Sequence, residues 1–265
     1  MSIHSISKCG RREQNEDCHT IIKNIDGKDK NINNINLFGV YDGHGGKSIS
    51  KFISNNLPQM FLNKNIQYPL DSAYIKTCFK NLQSILKKNH EDIAEYAGST
   101  CLLAIEYNFN ERSYLDIYNL GDSRFVICKK SQAQIITKDH KPHWPDEQKR
   151  IEKIGGKIYF DGYDWRIGDL SVSRAFGDLD NAPYISSKPD IFRYKISKHD
   201  KFFIMACDGL WDVIESQEAV DFVLKNCYDE NTRINKNLNI AKSLAEFAYN
   251  KDSLDNITII IVFLY

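Results

Sequence analysis

A chain of 265 residues sits in the upper part of the range that one hydrophobic core can serve, so a single catalytic-sized domain over 1–265 is expected without a second module. Lysine plus arginine and aspartate plus glutamate both number 35, which excludes a net field drawing the chain onto nucleic acid or an anionic membrane and leaves any phosphate chemistry to local residues. Seven scattered cysteines with no Cys-x-x-Cys pair, an N-terminus without an apolar signal run, and a longest apolar stretch (257–265) well short of the ~20 residues of a spanning helix predict a reduced, cytoplasmic, soluble monomer, with the nucleus left open.

The asparagine-rich patch 23–36 reads as a surface loop between two early strands. An apolar strand over 35–41 leads into Asp42-Gly43-His44-Gly45-Gly46, after which Ile49, Phe52, Ile53 and Leu57 recur at helical spacing. Ile75, Cys78, Phe79, Leu82, Ile85 and Leu86 fall on one face of a second helix, about 72–87. Short β-prone runs at 101–105, 115–119, 124–128 and 134–137, separated by turn-rich tetrads, predict one antiparallel meander joined by close hairpins. A short helix at 146–153 stops at Gly155-Gly156, and the polar-aromatic stretch 157–190 reads as most of a flap spanning about 141–189. The last third predicts a buried strand at 201–207, then a helix capped by Ser216 with Val220, Val223, Leu224 and Cys227 inward. A helix near 240–248 follows, and then a strand at 257–263, apolar on both faces and so deep between layers. Antiparallel runs with interspersed helices give an α+β layered class.

Three acidic positions share a setting: Asp42-Gly43 and Asp208-Gly209 end apolar strands, and Asp255-Asn256 precedes one. An isolated Asp-Gly is most often only a turn, but three in related settings outweigh that reading. Carboxylates gathered at neighbouring strand ends raise one another's pKa unless a cation neutralises them, and an oxygen-only donor set favours Mg2+ or Mn2+ over zinc. Gly43, lacking a Cβ, lets the backbone carbonyl approach such an ion. Two cations would activate a water for in-line attack on phosphorus, with no covalent phosphoenzyme. His44, in the turn beside Asp42, can protonate a departing oxygen, although a lone histidine is more often a loop or packing residue. Asn256 can hydrogen-bond a metal-bound water; the same residue opens an Asn-Ile-Thr glycosylation sequon that a chain without a signal peptide does not use. The run Gly45-Gly46-Lys47-Ser48 is not a P-loop, because Tyr41 stands where its first glycine must be. Cys227 and Arg233 match Cys-x5-Arg, but two acids and no glycine lie between them. Asp122 and Arg124 read as turn and sheet-end packing residues, and Trp211 as core.

In chain order stand Arg12-Glu13-Gln14-Asn15-Glu16-Asp17, Phe38-Gly39-Val40-Tyr41-Asp42-Gly43-His44-Gly45-Gly46, Gly98-Ser99-Thr100 and Asn119-Leu120-Gly121-Asp122-Ser123-Arg124. Asp139-His140-Lys141-Pro142, Leu170-Ser171-Val172-Ser173-Arg174-Ala175-Phe176-Gly177-Asp178, Ala206-Cys207-Asp208-Gly209-Leu210-Trp211-Asp212 and Asp255-Asn256-Ile257-Thr258 follow. This series resembles that of the metal-dependent PP2C (PPM) protein serine/threonine phosphatases over nearly the whole chain. The resemblance implies a four-layer αββα sandwich of two antiparallel β-sheets flanked by helices, with phosphorylated proteins as substrates. It implies that Asp42 bridges two metals, that the Gly43 carbonyl binds one, that Asp208 and Asp255 complete the other, and that Glu16 and Asp17 hold metal-bound waters. Asp139 and Asp212, with Asp208, match a weaker third metal site. Arg12, selected over Arg11 by the family's spacing to Glu16, would orient the phosphate through its guanidinium fork, and His44 would be the general acid. Two alternatives are a pseudophosphatase scaffold, which would lack ligands this sequence retains, and a small-phosphoester metallohydrolase. Trp144, Tyr159, Tyr163 and Trp165 bear on the second, either contacting a peptide or packing the flap onto the sandwich.

Overall fold

The computed structural model describes residues 1–25, 32–62, 66–228 and 239–264. Its strands are β1 (Ser2–Lys8), β2 (Cys18–Ile25), β3 (Ile32–Tyr41), β4 (Gly43–His44), β5 (Gly98–Ser99), β6 (Cys101–Phe109), β7 (Arg112–Leu120), β8 (Arg124–Lys129), β9 (Gln132–Ile135), β10 (Tyr159–Phe160), β11 (Trp165–Arg166), β12 (Phe176–Gly177), β13 (Asp190–Lys195), β14 (Asp200–Ala206) and β15 (Ile257–Phe263). The helices are α1 (Ser48–Phe61), α2 (Ser72–Asn89), α3 (Glu91–Ala94), α4 (Pro145–Lys153), α5 (Asp208–Trp211), α6 (Ser216–Cys227) and α7 (Ile240–Asn250).

Two antiparallel sheets, ordered β13-β7-β6-β3-β2 and β1-β15-β14-β8-β9, pack face to face. Period-two alternation sorts their side chains into layers. Phe38, Val40, Leu102 and Ala104 turn inward against Phe125, Phe203, Met205, Ile260 and Val262. Their neighbours Leu37, Tyr41, Leu103 and Ile105 turn outward onto α1 and α2. On the opposite surface Ile257, Ile259, Ile261 and Phe263 meet α6 and α7. β15 is therefore buried along its whole length between β1 and β14, and the α+β, four-layer αββα arrangement follows. Each large apolar side chain buried in this way stabilises by roughly 1.5–3 kcal/mol.

Local rules shape the helices. Asp71 caps α2 by accepting from the Ala73 N–H at 2.5 Å, and Lys87 and Lys88 occupy its last turn, where the helix dipole favours cations. Pro58 inside α1 has no N–H to give the Ser54 carbonyl, and the Thr20 hydroxyl from β2 donates to it instead at 3.2 Å.

Several expectations need correction. The four central strands are not one meander: β6–β7 and β8–β9 are tight hairpins turning through Asn110-Glu111 and Lys130-Ser131, all at positive φ, but the link 121–123 carries the chain from one sheet to the other. His140 holds that link, accepting from Gly121 N through Nδ1 and donating its own N–H to the Gly121 carbonyl, each at 3.0 Å. The asparagine patch is largely strand, because Asn36 is satisfied inside the sheet, donating to Glu106 and accepting from Asn24 N; residues 26–31 lie outside the described residues. Ser216 is the first residue of α6 rather than its cap, and its hydroxyl accepts from Arg124. β1 and β13, both edge strands of polar alternation, went unanticipated because neither forms an apolar run. Trp211 is buried, as expected, and donates its indole N–H to the Ala206 carbonyl. All seven cysteines are free, and Cys227 is buried, with its thiol pushed up to about 11 by desolvation; Arg233 lies outside the described residues.

Candidate active site

The acidic residues meet at one end of the sandwich because their strands are neighbours there. Cys18 pairs with Tyr41, so Asp17 before β2 and Asp42 after β3 come together. Asp122 follows β7 in the inter-sheet link, Asp208 follows β14, and Asp255 stands just before β15, which pairs with β14. Asp42, Asp122, Asp208 and Asp255 open into a cleft of about 620 Å³ whose walls include Arg12, Glu16, His44, Arg166 and Asp169, with Asp17 buried behind them.

Carboxylate oxygens of Asp42, Asp122 and Asp208 lie within 4.8 Å of one another, and those of Asp17 and Asp42 lie equally close to Cys207 Sγ. Burial, and then the charges of Asp208, Asp17 and Asp122, push Asp42 well above the carboxylate range; burial and Asp122 do the same to Asp208. Desolvation raises Asp17 and Asp212 to about 6. Lys141 is the cation inside this group, 2.5 Å from Asp122; burial works against its charge, but Asp122 and Asp208 raise its pKa. One oxygen of Asp17 and one of Asp122 are buried without any hydrogen-bond partner. Buried polar atoms are ordinarily paired, and an all-oxygen set with orphaned acceptors and mutual repulsion fits a hard divalent cation.

Arg11 and Arg12 diverge. Arg11 ion-pairs with Asp252 at 2.6 Å and lies over the Tyr249 ring, whereas Arg12 reaches into the cleft and contacts Asp255 at 2.7 Å. Gly43 is required by crowding: a Cβ there would collide with the Glu16 carbonyl and the Ser50 side chain. Asn256, expected to hydrogen-bond a metal-bound water, ties down the loop that carries Arg12 and Glu16. Its amide donates to the carbonyls of Cys9 and Gln14 and accepts from Glu16 N at 2.8 Å.

His44 lies in β4 of a small sheet, β12-β5-β4, whose other edge delivers Asp178. His44 Nε2 stands 2.7 and 2.9 Å from the two oxygens of that buried carboxylate. Burial opposes the imidazolium, but Asp178 outweighs it, so the His44 pKa is raised.

The structure thus brings together Asp17, Asp42, Asp208 and Asp255, with Glu16, Arg12, His44 and Gly43 lining the same cleft. Asp212 is close enough to raise the Asp208 pKa. Asp139 does not join them: Arg124 takes both of its oxygens, at 3.3 and 2.7 Å. Asp122, read from sequence as a turn residue, occupies the cluster instead. Asp178 and Lys141 were also missed as site residues, although both lie in quoted motif blocks; only strand pairing across the fold reveals their partners.

The family model of protein phosphatase 2C matches residues 1–257. A PP2C-like domain-containing protein of Acanthamoeba polyphaga mimivirus is 45% identical over 174 residues, covering 59% of this chain and 97% of that protein. Probable protein phosphatase 2C 45 of Oryza sativa subsp. japonica is 36% identical over 263 residues, covering 97% of this chain and 85% of that one. Among solved structures, the serine-threonine phosphatase 2C of Toxoplasma gondii superposes with a TM-score of 0.79 at 25% identity, covering 98% of this chain and 94% of that one. With the sandwich, the cleft and this match along nearly its whole length, the chain belongs to the protein phosphatase 2C family of protein serine/threonine phosphatases.

Proposed function

We propose that this phosphatase hydrolyses phosphoserine and phosphothreonine monoesters on proteins using two hard divalent cations, Mg2+ or Mn2+, held by Asp42, Asp208, Asp255 and the Gly43 carbonyl, with Glu16 and Asp17 behind them. The observation that carries the reading is the approach of Asp42, Asp122 and Asp208 to within 4.8 Å, together with the orphaned oxygens of Asp17 and Asp122. When bound, the cations lower the pKa of water and offset charge on the phosphoryl oxygens. Asp122 and Asp208, with Asp212 near enough to raise the Asp208 pKa, would supply the weaker third site; Asp139, ion-paired with Arg124, would not.

The chain's own residues do the rest. Arg12, 60% exposed at its side chain, exchanges its single contact with Asp255 for two phosphate oxygens and fixes the ester's orientation. His44, whose pKa Asp178 raises, would give a proton to the departing serine or threonine oxygen. Leu170 and Val172 give one wall of the otherwise polar cleft an apolar character.

Phosphate release from a phosphothreonine peptide, measured for wild type and Asp208→Ala with EDTA, Mg2+ or Mn2+, tests this. Turnover is expected only from metal-loaded wild type, with Asp208→Ala lower by about a hundredfold or more. A folded, metal-saturated wild type that releases no phosphate would sink the catalytic reading.

A further inference from the structure

The flap has an aliphatic core of its own, built from Ile151, Ile167, Val172, Ala175 and Ile185, and none of its exposed aromatic residues belongs to it. Those aromatics form a ladder. His143 stacks on Trp144 at 6.0 Å between ring centroids, lies 6.2 Å from Trp165, and Trp165 lies 5.6 Å from Phe160. Trp144, Phe160 and Trp165 are 40%, 55% and 38% exposed, a grouping that packing of the flap does not explain.

The ladder is continuous with the cleft. In the β10–β11 ribbon Phe160 pairs with Trp165 and Tyr159 with Arg166, so the ladder occupies one face while Arg166, on the other, lines the cleft. The loop bearing His143 and Trp144 is anchored two residues earlier, where Lys141 meets Asp122. A substrate whose phosphorylated residue enters the cleft can therefore lay a flanking segment over this ribbon.

Charge selects what that segment carries. The cations nearby are already matched: Lys138 with Asp146, Lys141 with Asp122 and Arg166 with Asp161. Asp164, adjacent to Trp165, and Asp169, on the cleft wall, have no ion-pair partner among the described residues. The Trp144 ring already carries Lys138, 5.3 Å from its centroid; beside Trp165 the carboxylates without an ion pair favour a planar cation, since a guanidinium stacks on tryptophan while its N–H groups bond carboxylate. A proline segment would use the rings and leave both carboxylates unanswered. We infer that the aromatic ladder of the flap, with Asp164 and Asp169, is a docking surface for an arginine-bearing segment flanking the phosphorylated residue of the substrate. The inference rests on the cleft being the site of protein dephosphorylation.

Two readouts test it. The first is the affinity of metal-loaded protein for unphosphorylated fluorescent peptides bearing arginine, proline or alanine at the flanking positions, measured by anisotropy. The second is turnover of p-nitrophenyl phosphate, too small to reach the ladder. Arginine peptides should bind about tenfold more tightly than alanine ones. The double variant Trp144→Ala/Trp165→Ala should abolish that preference, Trp144→Phe/Trp165→Phe should keep most of it, and both should turn over the small ester within about twofold of wild type. Equal affinities, a preference for proline, or parallel loss of small-ester turnover in the alanine variant each overturns the inference. Arginine preference in a protein inert toward both p-nitrophenyl phosphate and the phosphothreonine peptide would uphold the docking surface and refute the catalytic proposal.

Discussion

His44 and Asp178 are separated by more than half the chain, yet they meet at hydrogen-bond distance inside the cleft wall. The carboxylate raises the imidazole's pKa against the pull of burial, so the protonated form persists to higher pH than a free histidine allows. Asp178→Asn removes the charge while keeping a side chain of the same size. With a phosphothreonine peptide, whose alkoxide leaving group needs a proton, kcat should fall by about a hundredfold and the alkaline limb of its pH profile should move down by about one unit. With p-nitrophenyl phosphate, whose leaving group departs unprotonated, kcat should change little. Equal losses on both substrates would mean that Asp178 merely supports the fold. The sequence shows Asp42, Asp208 and Asp255 as candidates because strand ends are visible in it. It cannot tell Asp122 from Asp139, since the choice depends on Arg124 at the start of β8, which claims Asp139 beyond the β8–β9 hairpin and leaves Asp122 to the cluster.

The elements that position this pair are among the shortest in the described residues. β4, β5 and β12 contribute two residues each, and no periodicity announces a strand of that length. Their registers, Gly43 with Ser99, His44 with Gly98 and Gly98 with Gly177, lay Gly98 directly under the His44 and Asp178 contact. A Cβ at Gly98 would collide with the Asp178 carboxylate and with His44 Nε2. Gly98→Ala should therefore cost about 1–3 kcal/mol of stability and reproduce the leaving-group dependence of Asp178→Asn, as a thermal melt and the same pair of substrates would show. A variant with normal peptide turnover would disprove the steric argument. Longer elements were legible for the opposite reason: the helical stripes of α1 and α2 and the doubly apolar β15 carry their burial in their patterns. The passage of β7 to β8 between sheets was not, because Gly121-Asp122-Ser123 reads locally as a hairpin turn and the residues that hold it open, among them His140, Lys141 and Thr100, are distant in sequence.

At the scale of the whole molecule, the layers of the sandwich are held by apolar burial, and the carboxylates at its open end work against them. A carboxyl group whose folded pKa lies above its unfolded value stabilises the fold only while protonated. The contribution is present below the ordinary value near 4 and is lost as pH rises through the folded value. Asp17 and Asp212 are raised to about 6, and Asp42 and Asp208 are raised as well. Lys141 and Arg12 offset part of the repulsion by pairing with Asp122 and Asp255. Metal-free protein should accordingly lose stability as pH climbs from about 5 to 7.5, and a divalent cation that binds only the folded state should restore it. Asp208→Asn removes one of the crowded charges. In EDTA at pH 7.5 this variant should melt above wild type by roughly 2–4 °C, the shift that about 1 kcal/mol produces in a chain of this size. At pH 5, below the raised values of Asp17 and Asp212, the gap should narrow; in saturating Mg2+ it should reverse, because the variant has lost a ligand. Calorimetric melts across those conditions decide the matter: a gap that ignores both pH and metal would mean that Asp208 carries no strain in the fold, and that the convergence of carboxylates is not what a cation relieves.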